Sequence, residues 1–227
     1  MRSPLRRGFA SRSTLLVLCA ALAAGLGLYL AQRHFGAPRA DATATTPANR
    51  MPADLRAVRA FPSPRVLDDW RLTRADGTAI GPADLRGRWT VVFLGFTHCP
   101  DVCPTTLAEL AHAQKQWEAL PEARRPRLLF VSVDPERDTP RATGEYAHYF
   151  HPDTWAATAA PQPLAHFAQA MGLVYMKVPL EGGDYSMDHS ATLVVLDPQA
   201  RQVGLIGPPL AWKDIAADLE RLAAESP

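Results

Sequence analysis

A chain of 227 residues with a formal net charge of +1 has no cationic excess with which to hold a phosphate backbone, and its Lys and Arg residues cluster only at the N-terminus, so nucleic acid is excluded as a partner. A hydrophobic content of 47% supports a packed core. Three cysteines are too few for a disulfide scaffold, and setting aside roughly the first sixty residues leaves about the 150 of a typical single domain.

The N-terminal segment 1–12 carries Arg2, Arg6, Arg7 and Arg12, and no acidic residue occurs before Asp41. The charge-free run Ser13–Ala31 follows, inside an anchor predicted over residues 13–33. About 20 apolar residues cross a hydrocarbon core, and the arginines stay on the cytoplasmic side. The expected product is a single-pass protein of the bacterial inner membrane with its folded domain facing the periplasm. A cleaved signal peptide ending at Ala21-Leu22-Ala23 competes with this reading, as does a mitochondrial presequence, which would put the domain in the intermembrane space. Cys19 follows Leu18, where a lipoprotein signal needs a small residue, and reads as an inert thiol in the span. Residues 34–64 shift to Ala, Pro, Thr and Arg without apolar periodicity and read as a flexible tether with a reach on the order of 30 Å.

The folded domain is predicted over residues 65–227. Val66–Leu72 alternates as a strand, with a turn at Ala75–Thr78. Val91–Phe96 is an unbroken apolar run, too short for a helix, and reads as a fully buried strand. Pro104 suits a first helical position, and Leu107, Leu110, Ala111 and Trp117 continue at helical spacing. Leu128–Val133 and Ala191–Leu196 are further buried strands. Helices are expected from about Pro140 to Phe150, from Pro163 to Met171 and from Trp212 to Ala224. Leu173–Val178 and Asp184–Met187 flank Gly182-Gly183 as a hairpin, and Gln202–Ile206 reads as an edge strand. Buried strands alternating with helices make an α/β layer structure.

Cys99 and Cys103 fall on the turn from the buried strand into a helix N-terminus, where unpaired N–H groups and the helix dipole lower thiol pKa values. A Cys pair at such a turn points to a thioredoxin-like fold. Three residues separate the pair, one more than in a disulfide oxidoreductase, and two thiolates can converge on a soft ion such as Cu(I). Two thiolates leave room for a third donor, and His189 is the candidate. A loop histidine is by default solvated, but Met187–Ser190 enters a buried strand that in a thioredoxin-like sheet lies opposite the cysteines.

Gly95–Leu107 (GFTHCPDVCPTTL), Val131–Pro140 (VSVDPERDTP) and Asp184–Ser190 (DYSMDHS) resemble three signature blocks of the SCO/SenC family, the membrane-anchored copper chaperones of cytochrome c oxidase assembly. The resemblance implies a thioredoxin-like fold with an inserted hairpin around Gly182-Gly183, and Cys99, Cys103 and His189 as the metal ligands. It implies a copper cargo, Cu(I) with Cu(II) as the second state to consider, and as acceptor the binuclear copper site of cytochrome c oxidase subunit II. Other periplasmic copper chaperones or thiol oxidoreductases are further expected partners, and the soluble domain is expected to be monomeric.

Asp134 has two readings, as a residue that orients a ligand and as a turn former before Pro135. His98 adjoins Cys99, but neighbouring side chains diverge. Met187 offers a thioether that the hairpin core competes for. His112, His148, His151 and His166 read as solvated or capping. Three functions follow: a copper chaperone without catalysis of its own; a thiol–disulfide reductase with Cys99 attacking and Cys103 resolving; and a redox sensor or peroxidase passing through a sulfenic acid. His189 separates the first from the others, because neither of them needs a soft third ligand.

Overall fold

The computed structural model describes residues 21–27, 51–52 and 54–225. The chain divides into two units, Met1–Asn49 and Arg50–Pro227. Of the first, residues 21–27 are described; they are helical and exposed. The rest of the predicted anchor (13–33), the basic segment 1–12 and the tether up to residue 50 lie outside the described residues. Among the described residues no helix is long and apolar enough to cross a membrane.

The second unit is built on an eight-stranded mixed sheet. Its strands are β1 Val58–Arg65, β2 Leu72–Arg74, β3 Ala79–Ile80, β4 Thr90–Gly95, β5 Arg127–Ser132, β6 Trp155–Thr158, β9 Leu193–Leu196 and β10 Gln202–Ile206, in the order β1-β10-β9-β4-β5-β6-β2-β3. The other two strands, β7 Tyr175–Pro179 and β8 Tyr185–His189, form a separate antiparallel hairpin. The helices are α1 Val102–Trp117, α2 Pro140–Phe150, α3 Pro161–Met171 and α4 Trp212–Glu225. β4, β5 and β6 run parallel, and β9 is antiparallel to β4.

Every residue of β4, β5 and β9 is buried, as their unbroken apolar runs predict for strands covered on both faces. The helices supply their own boundaries. Thr139 caps α2 by accepting the Ala142 N–H, and Pro140 takes a first-turn position where its missing donor costs nothing. Gly172 ends α3 in the left-handed region at φ 67°.

Two expectations are corrected here. The tether does not extend to Pro64, because Val58–Arg65 is a strand paired with β10 through Val58–Ala60 and again at Arg65. Its two prolines are tolerated because β1 is an edge strand, with a shift of register between Ala60 and Arg65. The buried Asp218 of α4 holds the start of this strand, accepting the N–H groups of Arg56, Ala57 and Val58 at 2.8–3.1 Å. The strand predicted at Val66–Leu72 is instead irregular up to Leu72, and Val66 is exposed.

Candidate metal centre

The C-terminal end of β4 sets the position of both cysteines. Beyond Gly95 the chain turns through Phe96, Thr97 and His98, and the Cys99 N–H donates to the Phe96 carbonyl at 3.3 Å. The helix begins at Val102, two residues before the predicted start, so Cys103 lies inside its first turn. First-turn N–H groups have no partner within the helix. Here the Cys103 N–H donates to Cys99 Sγ at 3.3 Å, while the Asp101 side chain makes no cap. A Cβ on Gly95 would stand 3.0 Å from Cys103 Sγ and 2.7 Å from the Phe130 ring. Glycine at this position makes the space for the buried thiol.

His189 comes from the hairpin. It ends β8, paired across to Tyr175, and is therefore on a strand rather than the predicted loop. Phe93 and Phe96 meet its ring edge-on, each at 6.0 Å between centroids. Its Nδ1 lies 3.2 Å from the Ser190 carbonyl, which can only accept, so Nδ1 carries the proton and the Nε2 lone pair faces Cys103 Sγ at 3.4 Å. Burial holds the imidazole below its usual pKa, more than the Ser190 bond and Asp188 raise it. The ring is thus neutral near pH 7, the form that binds metals.

The donor atoms of Cys99, Cys103 and His189 all lie within 4.8 Å of one another. Metal–thiolate bonds near 2.3 Å and metal–imidazole bonds near 2.0 Å require donors at most about 4.6 Å apart, so shifts of tenths of an ångström close this set on one ion. Two sulfurs and an imidazole suit a soft monovalent or borderline ion.

One electrostatic expectation is reversed. Burial pushes the Cys103 thiol well above its ordinary value, outweighing a backbone hydrogen bond with Phe96; Cys99 and the Asp138 carboxylate push it further the same way. The helix N-terminus lowers a thiol only where water or a cation also reaches the sulfur, and Cys103 is fully buried. Without metal, Cys103 is a thiol that an incoming cation must deprotonate.

Asp134 touches none of the three ligands. Its carboxylate accepts the Tyr185 hydroxyl at 2.8 Å and pairs with Arg137 Nε. Arg137 also donates to the Tyr185 carbonyl at 3.0 Å and stacks on the Tyr185 ring at 3.8 Å. The role is therefore indirect, clamping the strand that ends in His189 to the loop after β5. Sequence reasoning passed over Asp138, which is fully buried and accepts from the Thr97 N–H at 2.8 Å and from the Thr97 and Ser132 hydroxyls. It fixes the turn that leads into Cys99. Two aspartates four residues apart, directly after a buried strand, were the available signal.

His98 points to Thr97 and Asp138 and is outside the donor set. Met187 is buried in the core. Of the remaining histidines, His112, His148 and His166 are exposed, whereas His151 is buried against Glu118.

The sequence profile described as SCO1/SenC matches residues 60–224. A mitochondrial SCO1 homolog 1 of Arabidopsis thaliana is 39% identical over 142 residues, 60% of this chain and 40% of that protein. The chain spans 40–60% of the length of the first curated relatives it matches. The copper-bound crystal structure of Arabidopsis thaliana ScoI superposes with a TM-score of 0.65 at 31% identity, covering 70% of this chain and 99% of that one. The solution structure of apo Sco1 from Thermus thermophilus gives 0.66 at 35% identity, covering 75% and 99%. The profile spans most of the folded unit and includes all three donor residues, and the chain belongs to the SCO1/SenC family.

Proposed function

We propose that this chain is a copper metallochaperone. It binds one Cu(I) through Cys99, Cys103 and His189 and passes it by ligand exchange to the binuclear copper site of cytochrome c oxidase subunit II. The observation that carries the reading is the convergence of two sulfurs and an imidazole within 4.8 Å, with the imidazole Nδ1 turned to the Ser190 carbonyl. A structural neighbour from Arabidopsis holds copper, which supports copper as the cargo. Cys99 is half-buried and Cys103 fully buried, so an acceptor reaches Cys99 first. Its soft ligands displace Cys99 from the ion, then His189 and Cys103. Anchoring by residues 13–33 would keep the domain on the periplasmic or intermembrane-space side, beside a membrane-bound acceptor.

The same exposure pattern supports a second role as a thiol–disulfide reductase. The Cys99 thiolate attacks an acceptor disulfide and releases one acceptor thiolate. Cys103 then attacks the mixed disulfide, its proton passing to the departing acceptor sulfur, which frees the second acceptor thiol and leaves Cys99–Cys103 oxidised.

Anaerobic loading tests the chaperone reading. The reduced full chain should retain one copper after desalting and lose it to a reduced, copper-free soluble fragment of subunit II. Equal retention when Cys99 and Cys103 are joined as a disulfide contradicts the site, and full retention beside the acceptor contradicts delivery.

A further inference from the structure

A cleft in the folded unit lies at the opposite end of the parallel strands from the metal centre. It has a volume of about 550 Å³ and is lined by Arg74, Arg88, Arg127 and Trp155, among others. Arg127 opens β5 and Trp155 opens β6, whereas the cysteines follow the other end of β4. At about 3.3 Å per residue, a six-residue strand puts roughly 15–20 Å between the two places.

Arg127 lines this cleft and is buried as a residue, 8% exposed. It stacks on Trp155 at 3.8 Å, and Arg74 lies over the same ring at 4.3 Å. Its Nη1 donates to the Asp84 carbonyl at 3.2 Å, and its Nε is buried without a partner. A buried, unpaired donor on a cation is costly, and neighbouring cations add to that cost. Burial, then Arg88 and Arg74, pull the Arg127 pKa down to about 10, against a smaller opposing effect of Asp84.

The carboxylates nearby are mostly committed. Asp84 accepts the Gly81 N–H, Asp76 is held by Thr78, and Glu118 pairs with Lys115 and His151. Arg125 turns to the carbonyls of Glu118 and Leu120. Arg74, Arg88, Arg125 and Arg127 line the opening together with Asp76, Glu118, Glu122 and Asp153, and Arg88 Nη2 also donates to the Glu122 carbonyl.

We propose that Arg127, with Arg74 and Arg88, forms a binding site for a phosphate-bearing anion in this cleft, separate from the metal centre. Planar guanidiniums match phosphate oxygens in pairs, and a tetrahedral group can meet three of them where a flat carboxylate meets one or two. The ligand is a free phosphate or a phospholipid headgroup, which share this chemistry.

The test is calorimetric titration of the full chain in non-ionic detergent micelles with inorganic pyrophosphate, with and without phosphatidylglycerol in the micelle. The parent should bind pyrophosphate saturably. Arg127→Met and Arg74→Gln should each weaken binding about tenfold or more, as expected for loss of a charge-assisted bond, while retaining one Cu(I) per chain. Weaker pyrophosphate binding in phosphatidylglycerol micelles assigns the site to a lipid headgroup, and unchanged binding assigns it to a soluble phosphate. No saturable binding in neutral micelles, or parental affinity in the Arg74→Gln variant, overturns the proposal. If Arg127→Met does not fold, Arg74→Gln decides alone.

Discussion

Gly95→Ala is the smallest change that reaches the metal centre without removing a ligand. The added methyl carbon would stand 2.7 Å from the Phe130 ring and 3.0 Å from Cys103 Sγ, both closer than non-bonded atoms settle. Neither neighbour retreats easily. Phe130 is fully buried between Phe93 and Tyr146, with ring centroids 5.8 Å from each, and Cys103 is fully buried in the first turn of α1. Overpacking of this kind costs about 1–3 kcal/mol, which for a domain of this size lowers the melting temperature by roughly 2–4 °C per kcal/mol. Because one displaced atom is a ligand, Cu(I) affinity should fall as well, by about tenfold if roughly 1.4 kcal/mol of the strain is felt only in the loaded state. Thermal unfolding of the reduced, metal-free protein and Cu(I) competition with a chromophoric chelator measure the two effects. Gly207→Ala is the control, since a Cβ there meets nothing within 4 Å, and it should stay within about 0.5 kcal/mol of the parent. If Gly95→Ala matches the control in both assays, the close packing of Cys103 against β4 is wrong.

Further outcomes are expected. His189→Ala should weaken Cu(I) binding without abolishing it, because two thiolates can still hold the ion linearly, and competition titration beside circular dichroism separates this from unfolding. Asp138→Asn offers one acceptor oxygen where two now receive three donors, and should destabilise the metal-free protein by about 1–3 kcal/mol in denaturant titration. Tyr185→Phe removes the hydroxyl bond to Asp134 but leaves the Arg137 pair, so it should cost roughly 1 kcal/mol of stability and weaken Cu(I) less than His189→Ala does. Burial depresses the His189 pKa, so the unfolded chain binds the extra proton first as pH falls. Stability of the metal-free form should be full above the unfolded value of about 6.5 and decline below it, down to the folded pKa, with a shallower slope in His189→Ala. Alkylation of the reduced protein, followed by peptide mapping, should modify Cys99 well before the buried Cys103.

The metal centre was legible because its parts are local in sequence. The apolar run of β4 places Cys99 and Cys103 at a strand-to-helix turn, and the Asp184–Ser190 block supplies His189. Long-range consequences of burial were not legible. The helix N-terminus predicted a low Cys103 pKa, but whether that sulfur meets water depends on Phe130 and the glycine facing it, which only the packed sheet decides. The hairpin was visible from Gly182-Gly183. Its clamp was not, because Asp134 reaches Tyr185 across 51 positions of sequence. The Val58–Arg65 strand was hidden by prolines that an edge position tolerates, and Trp155–Thr158 by its length of four residues and its two alanines, which carry little strand preference.

X-ray absorption at the copper edge tests the central claim most directly. The reduced full chain loaded with one equivalent of Cu(I) should show two sulfur scatterers and one imidazole nitrogen, and His189→Ala should lose the nitrogen while keeping both sulfurs. A parent spectrum without imidazole scattering, or an unchanged spectrum in the alanine variant, would contradict a site made of Cys99, Cys103 and His189.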